Sequence, residues 1–138
     1  MHSPTIPFRL VSTQREEQLA QFNARKEIAW FGFRGAFKEP GMAIINFTKI
    51  ESGLQGGGGT SAINGGVIAA GFDAAFVLAG LGHYDSKVVV TLELSVKFFP
   101  LHLSTSRLHS KRVCFDLLKT SRSPRAFSLR QVQGQPSI

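Results

Sequence analysis

The chain has 138 residues, of which 43% are hydrophobic and 18% are charged, and its net charge is +7. This length is enough to bury one core and too short for two domains, and the composition excludes a disordered chain. The one cysteine, Cys114, excludes an intramolecular disulfide, and the four histidines show no metal-ligand spacing, so we expect no metal site and no cofactor.

Residues 1–11 are expected to form a loose N-terminal arm, because they include Pro4 and Pro7. They lack the basic segment and apolar run of a secretory signal, so the sequence predicts a cytoplasmic protein. The apolar stretch at residues 62–82 is long enough to span a membrane, but it contains Asp73 and several glycines. We therefore expect no membrane insertion.

A helix is predicted over residues 12–30. Ser12 or Thr13 would cap its start, since Glu16 follows Thr13 at capping-box spacing. The candidate buried positions of this helix are Leu19, Phe22, Ile28 and Ala29.

Two short strands are predicted next, at residues 31–37 and 41–50, with a turn at Pro40 and Gly41 between them. The segment that follows, residues 52–63, contains four consecutive glycines. These glycines could suggest a phosphate-binding loop, but the lysine of that motif is absent. A flexible loop is the favoured interpretation.

A central helix is predicted at about residues 65–80. From Gly66 to Gly80 every side chain is apolar or absent except that of Asp73. A helix that is apolar all round is normally buried, and an ionised carboxylate is almost never buried without a partner. Two interpretations follow: Asp73 is a functional carboxylate, or it is a core residue paired with a Lys, an Arg or an amide.

The start of this helix carries two glycines, Gly65 and Gly66. The first backbone N–H groups of a helix have no intrahelical acceptor and lie at the positive end of its dipole. They can therefore polarise a carbonyl group or hold an anion. Such an amide, together with a carboxylate about two turns along, suits hydrolytic acyl transfer.

A β-strand is predicted at residues 87–99, because apolar side chains at even positions alternate with a more polar set at odd positions. The even set is Val88, Val90, Leu92, Leu94, Val96 and Phe98. A strand of this kind has one apolar face, which a single helix covers only in part.

The order of these segments, NGG, an apolar helix with an aspartate, and the strand VVTLELSVKFFP, resembles that of a known family. It is similar to the PaaI-like acyl-CoA thioesterases, whose usual pattern resembles HGGxxxxxxD followed by a strand like TVELSVNFLRP. The resemblance covers roughly residues 41–100. It implies an α+β hotdog fold over residues 1–100, in which an antiparallel sheet wraps around the central helix.

The resemblance also implies an activity, the hydrolysis of an acyl-CoA thioester to a carboxylic acid and free CoA. It implies that the Gly65 N–H polarises the thioester carbonyl, that Asp73 is the general base or the nucleophile, and that Thr91 helps to position the water. Asn64 stands in place of the usual histidine, and Gly58 in place of a carbonyl-orienting asparagine. The residues expected to bind substrate are Asn64, Gly66, Gly58, Gly59 and Thr60. The resemblance further implies a homodimer, or a dimer of dimers, with active sites shared between subunits.

Residues 101–138 differ in composition from the rest of the chain. They hold seven basic residues and one acid, a net charge of +6 out of the chain's +7. Relatives would have two further long strands here, and residues 112–118 are the best strand candidate. Three explanations remain open: the last strands of the sheet, a divergent extension that binds an acidic partner, or an out-of-frame translation product. A disordered basic end is the simplest account of the charge alone.

Three functions are therefore considered. The first is an acyl-CoA thioesterase, and the second is an acyl-binding protein of hotdog shape in which Asp73 has no competent partners. The third is a polyanion-binding protein that acts through its basic end. Nucleic acid is the least favoured partner, because no nucleic-acid-binding motif is present and Phe115 and Phe127 are too sparse for a stacking platform.

Overall fold

The computed structural model describes residues 6–49, 51–55, 63–92 and 94–96 in full, and the backbone of residues 112–119 and 127–132. The described residues form three α-helices, a short 3₁₀ turn and a four-stranded antiparallel sheet. The α+β class expected from the sequence is confirmed.

The helix predicted over residues 12–30 is two helices, α1 (Ser12–Asn23) and α2 (Lys26–Trp30). The chain changes direction between them because Arg25 is extended, with φ −67° and ψ 140°. Val11 is the N-cap residue of α1 and has no side-chain acceptor. The prediction that Ser12 or Thr13 caps this helix is therefore wrong.

The buried face of these two helices is narrower than predicted. Phe22 and Ile28 are buried, as expected. Leu19 is only half-buried and Ala29 is exposed. The break between the helices rotates α2 relative to α1, so a single helical period does not describe both.

The described part of the N-terminal arm, residues 6–11, is held against the rest of the domain. The Phe8 N–H donates to the Pro40 carbonyl at 3.0 Å, and the Phe8 ring lies edge-on to Phe37 with centroids 4.8 Å apart. Arg15 of α1 lies over the same ring, 4.8 Å from its centroid. The prediction of a loose arm is therefore wrong for residues 6–11, which these contacts hold on the domain.

Two strands, β1 (Phe33–Lys38) and β2 (Met42–Phe47), form an antiparallel hairpin close to the predicted positions. The basic C-terminal segment adds the other two. Strand β3 (Arg112–Lys119) pairs antiparallel with β2, and β4 (Phe127–Val132) pairs antiparallel with β3, which gives the order β1-β2-β3-β4. The strand predicted at residues 112–118 is confirmed.

The central helix, α3 (Gly65–Leu81), packs against β1, β2 and β3. The buried residues on its core side are Val67, Gly71, Ala74, Ala75, Leu78, Ala79 and Leu81. Gly35 of β1 permits this close packing, because a Cβ added there would lie 2.7 Å from Leu78 Cδ2. No helix among the described residues is long and apolar enough to cross a lipid bilayer.

Asp73 lies on the opposite side of α3, and its side chain is exposed. The expectation that this carboxylate is buried is therefore wrong for a single chain. The neighbours on this side, Ala69, Ala70, Phe76 and Val77, are half-buried. The carboxylate keeps contact with water and carries no large desolvation cost.

The strand predicted at residues 87–99 does not form over residues 87–92 and 94–96. Val89 packs against α3, where a Cβ added at Gly80 would lie 2.6 Å from Val89 Cγ1. Three of the even-numbered side chains face solvent instead: Val88, Val90 and Leu92 are 70%, 66% and 95% exposed. No described strand pairs with this segment, so its apolar side remains uncovered.

Candidate functional site

The first turn of α3 is anchored by Asn64. Its N–H donates to the carbonyl of Leu54, in the 3₁₀ turn, at 2.8 Å. This bond closes the base of the glycine-rich segment. Three of the predicted substrate-binding residues, Gly58, Gly59 and Thr60, belong to that segment and lie outside the described residues.

The two glycine amides at the helix start have different partners. The Gly66 N–H donates to Asn64 Oδ1 at 2.8 Å, so Asn64 is the N-cap of α3. Within the described residues, the Gly65 N–H donates no hydrogen bond. The amide available to a substrate carbonyl is therefore that of Gly65, and the Gly66 amide is occupied by the cap.

Asp73 lines a cavity of about 110 Å³ between α1, α2, β1 and α3. The aromatic residues of its wall are Phe22, Phe31 and Phe33, and the aliphatic ones are Ile28, Ala70, Ala74 and Val77. The cavity is thus mainly apolar, with one carboxylate from α3 beside it. Such a site can hold an apolar group next to a hydrolytic base.

Two further charged side chains line this cavity, Arg25 and Glu27. The Arg25 guanidinium lies over the Phe22 ring, 5.6 Å from its centroid. In the described part of the chain, neither the Asp73 nor the Glu27 carboxylate forms an ion pair or hydrogen bond with Arg25. The Asp73 carboxylate is therefore unblocked and can accept a proton from a bound water.

Gly65 and Asp73 are too far apart in one chain to act on the same carbonyl group. They are eight positions apart in the sequence, and a rise of 1.5 Å per residue places them about 12 Å apart along α3. An oxyanion donor must lie about 3 Å from the oxygen it stabilises. The two groups can cooperate only if they come from different chains.

Thr91 does not line the cavity that contains Asp73. Its Oγ1 is buried, and it makes no hydrogen bond within the described residues. Thr91 is therefore not among the described residues that form the cavity with Asp73. Its predicted role in positioning water is not visible in this arrangement.

Comparisons with known proteins give no relative for this site. No protein-family model, curated protein or solved structure matches this chain. Among the described residues there is also no group of three or more His, Cys, Asp or Glu side chains that could hold a metal ion.

Sequence reasoning missed most of the cavity wall. Phe31 and Phe33 stack with ring centroids 5.0 Å apart, and both belong to a segment predicted only as a strand. Arg25 and Glu27 were placed in the middle of a continuous helix. The available signal was the density of Phe residues around the charged pair, which is typical of an apolar site with a polar rim.

Proposed function

We propose that this protein is an acyl-CoA thioesterase of the hotdog fold. The observation that carries the proposal is the Asp73 carboxylate, which is exposed and, within the described residues, unpaired, beside an apolar cavity. A general base must reach water and substrate, and an acyl group needs an apolar site. Asp73 meets the first requirement and the cavity meets the second.

The hotdog fold is supported by the packing of α3 against an antiparallel sheet. Strands β3 and β4 lie in the part of the chain where the resemblance implies two further strands. The support for this fold is therefore the position of α3 on the sheet and the position of the two C-terminal strands.

In the proposed reaction, Asp73 takes a proton from a water molecule as the water oxygen adds to the thioester carbonyl carbon. The Gly65 N–H donates to the oxyanion that forms. The C–S bond then breaks, and CoA leaves as a thiol with the proton that Asp73 held. Direct attack by the Asp73 carboxylate, through an acyl-enzyme anhydride that water then hydrolyses, is the alternative route.

The separation of about 12 Å along α3 leads us to place each active site between two subunits. Gly65 of one subunit would then act with Asp73 of the other in a homodimer, which could pair further into a dimer of dimers. A two-fold axis generates two such sites from one interface.

A second candidate function is acyl binding without hydrolysis. It is favoured by the position of Thr91, which lies away from the cavity in a single chain. A protein of this kind would bind an acyl-CoA thioester and release no thiol.

The deciding experiment is thiol release from acyl-CoA by the wild-type chain and by Asp73→Asn. The substitution keeps the shape of the side chain and removes the base, so turnover should fall by about 10²–10⁴-fold. Asp85→Asn is the matched control, because Asp85 is exposed and lies outside the cavity wall. Full turnover by a folded Asp73→Asn chain would rule out this carboxylate as the catalytic group.

A further inference from the structure

The cavity beside Asp73 is small for an acyl-binding site. Its volume is about 110 Å³, whereas an engineered protein cavity that accepts benzene has about 150 Å³. A water molecule occupies about 30 Å³ in the liquid, so the cavity holds roughly three or four groups of that size. The cavity is open on one side, so the rest of a longer chain would lie outside it, in water, unless the wall moved.

The wall cannot retreat without cost. Phe22, Ile28 and Phe33 are 1%, 4% and 5% exposed, so they belong to the packed core as well as to the cavity. Cores are packed at crystal-like density, and forcing extra methylenes into them is destabilising. The volume of the cavity therefore limits how much of an acyl chain it can bury.

The charges around the cavity add a second restriction. Among the described residues of the wall, Asp73 and Glu27 are acidic and Arg25 is the one basic side chain, which gives these residues one net negative charge. An acyl group with its own carboxylate would meet this charge. An uncharged acyl group would not.

We infer that the Asp73 cavity buries about three or four carbon atoms of an uncharged acyl group and gains no affinity from a longer chain. The inference rests on the proposed function for the thioester and CoA part of the ligand. Binding of the alkyl group does not require turnover, however, so it can be measured separately.

The test titrates the wild-type chain by calorimetry with non-hydrolysable S-alkyl-CoA thioethers that have alkyl groups of two, four, eight and sixteen carbons. Affinity should rise about four-fold per methylene up to about four carbons, which corresponds to about 0.8 kcal/mol for each buried methylene. It should not rise further for eight or sixteen carbons. A four-carbon group that ends in a carboxylate should bind at least about ten-fold more weakly than the uncharged one, because of like-charge repulsion.

Two substitutions on α3 change the cavity in opposite directions. Val77→Ala removes part of the wall and should increase affinity for the eight-carbon thioether. Ala70→Leu fills the cavity and should reduce the affinity for the four-carbon thioether to that for the two-carbon one. Both positions are half-buried, and circular dichroism shows whether each variant folds.

The outcomes separate this inference from the thioesterase proposal. An affinity that levels off at about four carbons, and at a longer chain in Val77→Ala, supports the inference even if the chain releases no thiol, in which case only the catalytic proposal fails. An affinity that rises through sixteen carbons and is the same in the wild-type chain and both variants overturns the inference, even if Asp73-dependent hydrolysis is found. Absence of binding by every thioether also overturns it.

Discussion

The Thr91 hydroxyl is buried and makes no hydrogen bond in the part of the chain that the structure describes. A buried polar group without a partner costs about 1–3 kcal/mol. Because valine replaces the hydroxyl with a methyl group of similar shape, Thr91→Val should raise the free energy of unfolding by about 1 kcal/mol. Urea denaturation measures this change.

Thiol release by the same variant tests the catalytic role that the family resemblance implies for Thr91. If the hydroxyl positions water in an assembled site, Thr91→Val loses activity while it gains stability. Thr91→Ser retains a hydroxyl and serves as the control. A loss of stability in Thr91→Val would mean that the hydroxyl has a stabilising partner in the protein.

His83 predicts a dependence of stability on pH. Burial, and secondarily the positive charge of Arg9, lower the pKa of His83 below its usual value of 6.5. As the pH falls below about 6.5, the unfolded chain takes up a proton that the folded chain binds only at lower pH. The contribution of neutral His83 to the free energy of unfolding is therefore complete above about pH 6.5. It is lost as the pH falls through the lowered pKa of the folded chain.

The measurement is the urea midpoint at about pH 7.5 and at about pH 5.5, which lies above the ordinary carboxylate range. The midpoint of the wild-type chain should be lower at the acidic pH, and this difference should shrink in His83→Gln. An equal difference in both chains would assign the pH effect to other groups.

At the scale of single residues, the sequence predicted that Asp73 is exceptional but not that it is exposed. Helical periodicity shows which side chains share a face, whereas it does not show which face packs when nearly every position is apolar. In α3 the face with Val67, Ala74 and Leu78 is buried, and the face with Asp73 is not. The choice depends on the sheet, which a local pattern does not describe.

Packing between the elements depends on two glycines with different surroundings. A Cβ at Gly35 would lie 2.7 Å from Leu78 Cδ2 and 2.8 Å from Phe22 Cε1, whereas a Cβ at Gly71 would lie 3.6 Å from Phe33 Cζ. Gly35→Ala should therefore lower the free energy of unfolding by about 1–3 kcal/mol through overpacking. Gly71→Ala should raise it by about 0.5–1 kcal/mol, because alanine favours a helix interior.

Thermal or urea denaturation compares these two variants with Gly53→Ala, where an added Cβ meets nothing within 4 Å. Equal effects at positions 35 and 71 would contradict the described contact between β1 and α3.

At the scale of elements, the sequence predicted helices and strands well where the local pattern decided them. The start of α3 follows from Asn64, Gly65 and Gly66, which combine a side-chain cap with two glycines. The break at Arg25 was not predicted, because no Gly or Pro marks it. That break places Arg25 and Glu27 beside the cavity. The position of these two residues could not be predicted because the break itself could not.

Residues 87–96 show the opposite case, a strong strand pattern without a strand. A strand needs a neighbour to accept its backbone hydrogen bonds, and alternation of side chains supplies none. In the described structure Val89 contacts α3 while Val88, Val90 and Leu92 remain in solvent. The sequence predicts that this segment prefers a strand conformation. Whether a strand forms depends on a neighbouring strand, and therefore on the arrangement of the whole molecule.

At the scale of the whole molecule, we expect a homodimer with shared sites. The exposed apolar side chains of residues 88–92 favour association, since such a surface rarely stays uncovered on a monomer. Light scattering should give the mass of a dimer or a dimer of dimers. The mass of a monomer would contradict shared sites.

Mixing two inactive variants tests the shared site directly. Asp73→Asn and Gly65→Val chains should each be inactive as homodimers, because both of their sites lack one component. After exchange in equal amounts, half of the dimers are mixed, and each mixed dimer has one intact site. About one quarter of the wild-type activity should return. A mixture that stays inactive after verified exchange would show that both groups act within one chain or that one of them has no role.

Trp30 gives the site a built-in optical signal. It is the only tryptophan of the chain, it is 73% exposed, and its ring lies edge-on to Phe31 with centroids 4.8 Å apart. Phe31 also forms part of the cavity wall. A molecule that enters the cavity and contacts Phe31 should therefore change the surroundings of the indole through this ring. Emission from one unlabelled residue can therefore follow occupancy in real time, without a chromogenic substrate and without any turnover.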